Sequence, residues 1–198
     1  MKNYRKYKQL VKQLVFEKSD FEYAQSISDE IGFEFAEMQL KYLADNNITL
    51  DLRPGSNVPS PPPPVDSKGL VSVKKESESN IKHFAKIYKL IARKIHPDKF
   101  SNVPRTEDII EKEEMFKAAV TAYKSADWAT FLEIAEKLNI RPIKLPILLS
   151  EIPKEIDKLR QKTNKIKNTW GWQLYDCNDD EECKDRVLRS AMKRIYNV

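Results

Sequence analysis

His96, Pro97, Asp98 and Lys99 stand in a row, directly after a basic amphipathic stretch. Proline fixes its own φ and restricts the residue before it, so the imidazole and the carboxylate on either side are held in a set relation. Asp98 offers an acceptor to a cation on a partner, a charge-assisted bond of roughly 1.5–3 kcal/mol. His96 can cap or brace the loop. Upstream, Lys82, Lys86, Lys89 and Arg93 recur at spacings of four, three and four. On a helix they form one cationic stripe. Such a stripe on an arbitrary helix is a solvated face.

Other residues with chemical potential carry less. Asp176, Asn178, Asp180 and Glu182 alternate like calcium-loop ligands, but the sixth position is Glu181 rather than Gly and the twelfth is Val187 rather than Glu. An acidic cap before the last helix is the expected role. Cys177 and Cys183 have no further cysteine or nearby histidine to complete a four-ligand zinc site, and free thiols are expected. His83 reads as a surface histidine. Trp170-Gly171-Trp172 reads as packing against the helix before it. No metal or cofactor is expected.

The elements that must position the loop are helical. Glycine is scarce, at four residues, and β-branched alternation is rare. Residues 2–16 read as one helix, with Tyr4, Tyr7, Val11 and Leu14 at helical spacing, and 20–44 as a second that ends at Asn46-Asn47. Residues 53–79 hold Pro59-Ser60-Pro61-Pro62-Pro63-Pro64 and a Lys/Glu/Ser run, and read as an extended spacer. Three helical patterns follow, at 81–95, 107–125 and 128–138. Phe84, Ile87, Tyr88, Ile91 and Ile95 share a face opposite the cations. Ile109, Phe116, Ala119, Val120 and Tyr123 can cover it if the chain reverses at 96–105. Asp127 is placed to cap the third pattern. Pro142, Pro146 and Pro153 punctuate a connector. A long helix is expected from near Pro153, with a coiled-coil-like seam of Ile152, Ile156, Leu159, Thr163, Ile166 and Trp170, and a closing helix at 181–196. The expected organisation is 1–52, an N-terminal helical region; 53–79, the linker; 80–140, a compact unit around the loop; and 141–198, a C-terminal helical region.

The run from Tyr88 to Lys99, with Phe116-Lys117 and Ala122-Tyr123 downstream, resembles the second helix, loop and third helix of the J-domain, the DnaJ-type co-chaperone module. The resemblance covers about residues 80–140 and implies an all-α, antiparallel helix pair with a short extra helix, the flanking helices forming a separate bundle or coiled coil. It implies that the basic helix docks on a DnaK-type heat-shock chaperone and that His96, Pro97 and Asp98 trigger that partner's ATP hydrolysis. Lys86, Tyr88, Lys89 and Lys99 match family contact positions. The chain would then be a co-chaperone and no enzyme. Two features depart from the family. Its first helix, with a Tyr and a Leu-Gly pair, has no counterpart in residues 69–80, so either the unit is minimal or another segment fills that packing site. A family basic position after Lys89 is Leu90. The absence of a Gly/Phe-rich segment and of Cys-x-x-Cys repeats resembles the specialised class, in which the remaining sequence sets the client.

Composition narrows the alternatives. The 198 residues carry 33% charged side chains and a formal charge of +5, modest for nucleic acid as an expected partner. Mean hydropathy is −0.63. No apolar run suits a membrane span, and residues 1–16 lack the apolar core of a signal peptide. A reduced, cytoplasmic protein without a membrane partner is expected. A second reading belongs to another class: a structural or assembly protein, of cellular or viral origin, using a J-like fold as a docking platform. A third, nucleic acid on the stripe of helix 81–95, needs no His-Pro-Asp loop.

Overall fold

The computed structural model describes residues 2–48, 78–142 and 144–196, with side chains in the second stretch from Phe84 onward. The spacer expected at 53–79 lies outside the described residues save for the helical backbone of its last two. The described residues form seven α-helices and one 3₁₀ turn, with no strand: α1 (Lys2–Asp45), α2 (Glu78–Ile95), the turn (Pro97–Phe100), α3 (Glu107–Lys124), α4 (Trp128–Lys137), α5 (Leu145–Lys167), α6 (Trp170–Asp176) and α7 (Glu181–Tyr196). The all-α expectation is met.

Two elements differ from expectation. The helices expected at 2–16 and 20–44 are one helix of 44 residues. The polar stretch 17–20 holds neither proline nor glycine. Its ionic side chains are taken up in place, Lys18 by Asp127 at 2.6 Å and Asp20 by Lys167 at 3.0 Å, so no cap competes with the helical backbone. The long helix expected from Pro153 begins eight residues earlier, at Leu145, and Pro153 sits inside it. An internal proline removes one helical hydrogen bond and costs about 3 kcal/mol. Leu148, Ile152 and Ile156, spaced by four, are buried on both sides of Pro153, and that burial offsets the cost. The expected seam ends at Ile166, because Trp170 belongs to α6.

The chain divides into two compact units, Met1–Ser19 with Ser72–Leu159, and Asp20–Val71 with Arg160–Val198. This division cuts across the boundaries expected at 52/53 and 140/141. In the first unit one core joins Tyr7, Val11 and Leu14 of α1, Phe84, Ile87, Ile91 and Ile95 of α2, Ala119 and Ala122 of α3, most of α4, and Leu148, Ile152 and Ile156 of α5. The core around α2 therefore extends beyond 80–140 to both ends of the unit. α1 supplies apolar side chains to the core that α2 joins.

The helix ends are legible in local chemistry. Asn47, Ala126 and Asn139 adopt positive φ of 53°, 56° and 51°. Each is followed by an N–H that reaches five residues back, Ile48 to Leu43 O, Asp127 to Ala122 O and Ile140 to Ala135 O, at 2.8–2.9 Å. These are Schellman-type stops that satisfy otherwise orphaned carbonyls. Asp127 then caps α4 as expected, accepting from Thr130 N–H at 3.2 Å.

In the second unit, Leu43, Leu188 and Met192 form a small core with Phe35, Met38, Tyr42, Ile48 and Tyr196 around it. Trp172 is buried and Trp170 half-buried, in line with a packing role. Asp180 caps α7, accepting from Cys183 N–H at 3.0 Å. The expectation of free thiols is overturned: Cys177 and Cys183 form a disulfide, with Cα atoms 5.5 Å apart. Asn178 at φ 48° folds the short connection back on itself, which brings the two cysteines within bonding reach.

Candidate functional site: the corner between α2 and α3

α2 stops because His96 precedes proline. The His96 N–H still donates to Ala92 O at 3.0 Å, but its own backbone is extended, φ −63° and ψ 133°. Pro97 opens the 3₁₀ turn, which closes with Lys99 N–H donating to His96 O at 3.0 Å. The chain thus reverses within a few residues. Tyr88 stacks on Tyr123 at 5.0 Å, and His96 meets Phe116 edge-on at 5.0 Å. Advancing eight residues on α2 retreats seven on α3, so the two helices run antiparallel.

The imidazole of His96 is held by one hydrogen bond and one ring contact. Its Nδ1 accepts from Asp98 N–H at 3.3 Å, Asp98 Oδ2 lies 3.3 Å from the same nitrogen, and the ring rests on Phe116. Accepting from an N–H requires an unprotonated Nδ1, which leaves the proton of a neutral ring on Nε2. The ring is 43% exposed, whereas the Asp98 side chain is 88% exposed. His96 therefore braces the loop, and Asp98 presents its carboxylate to solvent. Ser101 Oγ donates to Asp98 O at 3.0 Å and fixes the backbone behind it. Pro97 is half-buried beneath the turn.

The cations sort into two groups. Lys86, Lys89 and Arg93 are exposed and make no ion pair among the described residues. The Lys82 side chain lies outside the described residues. Lys99 is exposed, but its ammonium donates to Arg93 O and closes the end of α2. Lys94, which the stripe omits, donates to Leu138 O at 2.6 Å and ties α2 to the end of α4. Tyr88 is half-buried against Tyr123, so its ring belongs mainly to the helix–helix contact.

Sequence reasoning missed the shelf role of Phe116. Its signal was available: Phe116 lies seven residues before Tyr123, on the same helical face, and the Tyr88 pairing sets the register. It also missed the lysine clamps on backbone carbonyls, because a lysine's reach to a carbonyl depends on where two chain ends meet. Behind the corner, Phe84 stacks on Trp128 at 3.8 Å, and Tyr123 and Phe131 close round them, giving the pair of helices a rigid aromatic base. Lys18 bridges Asp127 and Thr130 at 2.6 Å each and secures the start of α4. Comparison with protein-family models, curated proteins and solved structures finds no match, so the reading of this corner rests on its own residues.

Proposed function

We propose that the chain is a co-chaperone of the J-domain kind, which docks on a DnaK-type heat-shock chaperone and stimulates its ATP hydrolysis. The observation that carries this reading is the combination at the corner: a braced imidazole, a carboxylate left to solvent, and three unpaired cations on the helix leading to it. Lys86, Lys89 and Arg93 supply attraction to an acidic surface. Asp98 supplies a directed acceptor for a cation of the partner. No group at the corner needs to reach the nucleotide. The protein acts on its partner's conformational equilibrium and catalyses no reaction itself.

The test is single-turnover ATP hydrolysis by the chaperone, with and without the full chain. Acceleration is expected, and His96→Gln should remove it with helicity unchanged. Lys86→Glu with Lys89→Glu should raise the half-saturating concentration and leave the plateau intact. Absence of any stimulation by wild type would falsify the reading.

A second reading, a structural or assembly protein with a J-like docking platform, is favoured by two observations. Lys99 is engaged with Arg93 O, and Leu90 is half-buried where the family has a cation. One family cationic position therefore carries no charge, and at another the ammonium is tied back to the end of α2. Co-purification with a large assembly and no ATPase response would select this reading.

No described helix is long and apolar enough to cross a membrane. For location, a cytoplasmic site carries a condition. Disulfides persist in oxidising compartments and are rare in the cytosol, where Cys177 and Cys183 would be held reduced. Alkylation of thiols in freshly lysed cells, followed by mass analysis, decides between the two.

A further inference from the structure

We propose that the first four turns of α1 form a binding surface for single-stranded nucleic acid. Lys2, Arg5, Lys6, Gln9, Lys12, Gln13 and Phe16 are all exposed. At 100° per residue they fall within an arc of about 120°, opposite Tyr7, Val11 and Leu14, which are buried in the first unit's core. That core holds the helix, so the stripe is presented on a fixed rod. Lys2, Asn3, Arg5, Lys6 and Gln9 together line a shallow surface depression.

The charge on this face is unopposed. No acidic residue precedes Glu17 in α1. Lys8, which lies off the arc, is already paired with Glu136 at 3.4 Å. Lys2, Arg5, Lys6 and Lys12 have no ion pair among the described residues. The overall charge of +5 conceals this, because 30 acidic residues elsewhere on the chain offset most of its 35 cations.

The spacing selects the partner. Lys2 to Lys12 spans about 15 Å of helix axis. A stacked nucleic-acid strand carries one phosphate per about 3.4 Å, hence about four phosphates over that length, one for each free cation. An extended acidic peptide presents alternate side chains to opposite faces, and so offers about half that density on one face. Gln9 and Gln13 add amides that can donate to phosphate or sugar. Phe16 is 67% exposed, one turn beyond Lys12, where a base released from a strand can stack on it. A paired duplex has no such base to give, and a lipid surface needs the apolar face that the core already occupies.

The test uses the full chain and a fluorescently labelled thymidine oligonucleotide of about 20 nucleotides, followed by anisotropy between about 50 and 200 mM salt. Four phosphate contacts on a single strand predict a log–log salt slope of about −3. Lys6→Gln should reduce the slope by about 0.7, and reversal of Lys2, Arg5, Lys6 and Lys12 to Glu should abolish binding. Phe16→Ala should weaken binding roughly five- to hundred-fold without changing the slope. Lys86→Glu with Lys89→Glu should leave binding unchanged, which separates this surface from the corner and makes its failure distinct from that of the co-chaperone reading. Circular dichroism of each variant checks that helicity is kept, and the single Lys6→Gln variant decides if the quadruple one unfolds. No binding by wild type at the lowest salt, a slope that ignores the α1 substitutions, or equal binding of duplex or of polyglutamate overturns the proposal.

Discussion

Two corners of this protein turn one helix into the next, and they solve the problem differently. Between α6 and α7 the chain is closed by the Cys177–Cys183 disulfide, Asp180 caps the next helix, and Asn178 takes the left-handed position and bonds Asp176 O. Asn178 and Asp180 serve the turn, and Asp179 between them is exposed. Between α2 and α3 the stop comes from Pro97, the brace from His96 and the closure from Lys99, yet Asp98 is left 88% exposed. Folding does not require that carboxylate to face solvent. One corner is closed by a covalent bond and the other by a proline stop, a ring brace and a lysine clamp, and under the co-chaperone reading the Asp98 carboxylate is the group that a partner reads.

The largest test of this contrast removes the support beneath the α2–α3 corner. Deleting residues 2–19 strips Tyr7, Val11 and Leu14 from the core of the first unit. At about 2 kcal/mol per buried side chain the loss is on the order of 6 kcal/mol, comparable with the whole stability of a small domain. The first unit should unfold, and hydrogen exchange across α2 to α4 should become fast. If an isolated 78–142 fragment melts cooperatively, the core does not depend on α1.

Next in size is the disulfide. Replacing Cys177 and Cys183 by Ala opens a short ring, worth about 2 kcal/mol in the chain-entropy account. Hydrogen exchange in α6 and α7 should accelerate, while α2 and α3 keep their protection. Unchanged exchange in α7 would show that Asp180 and Asn178 hold the corner unaided.

Sequence alone made the α2–α3 corner readable and the rest of the chain less so, for a physical reason. From Phe84 to Lys137 every decisive signal is local: the 3.6-residue face of α2, the residue-before-proline stop at His96, and the Asp127 cap. Where partners are distant, pattern fails. Nothing near Ser19 says that Lys18 will meet Asp127 or that Asp20 will meet Lys167, and without those pairs a break at 17–20 is reasonable. Pro153 reads as a start because its cost is local, whereas the burial of Leu148 and Ile152 that offsets it is set by the whole core. Two cysteines six apart do not announce their pairing, because the left-handed turn at Asn178 that joins them is one option among several for that residue. The side chains of α1 that pack with α2 come from across some 60 residues of sequence, a relation that no periodicity carries.

A smaller effect is expected at Tyr7. Its hydroxyl is buried without a hydrogen-bond partner among the described residues. Tyr7→Phe should therefore stabilise the first unit, by about 1 kcal/mol, since a buried unpaired hydroxyl carries an uncompensated desolvation cost. Burial foremost, then Glu136 and Tyr4, pushes its pKa well above the ordinary value. In the unfolded chain the phenol loses its proton near pH 10. Above that pH the unfolded state binds fewer protons than the native state, so stability falls as pH rises. The Phe variant should lose less stability above pH 10 than wild type does. Equal alkaline slopes for the two proteins would show that Tyr7 reaches water.

The smallest effect on stability is expected where the effect on function is greatest. Asp98→Asn alters a side chain that is 88% exposed and whose carboxylate lies 3.3 Å from the His96 ring nitrogen. An exposed pair of this kind contributes at most about 1 kcal/mol, and the Asp98 N–H that braces His96 is backbone and survives the substitution. Denaturant midpoints of wild type and variant should coincide within about 0.5 kcal/mol. Under the co-chaperone reading the same variant should fail to stimulate the chaperone, because an amide presents a weaker acceptor to a cation than a carboxylate does. Pairing this variant with the cysteine variant sharpens the contrast between the corners. One should lose stability and keep stimulation, and the other should keep stability and lose stimulation. If Asp98→Asn stimulates like wild type, the exposed carboxylate is not the group that the partner reads. If it unfolds the corner, the division of labour between brace and carboxylate is wrong.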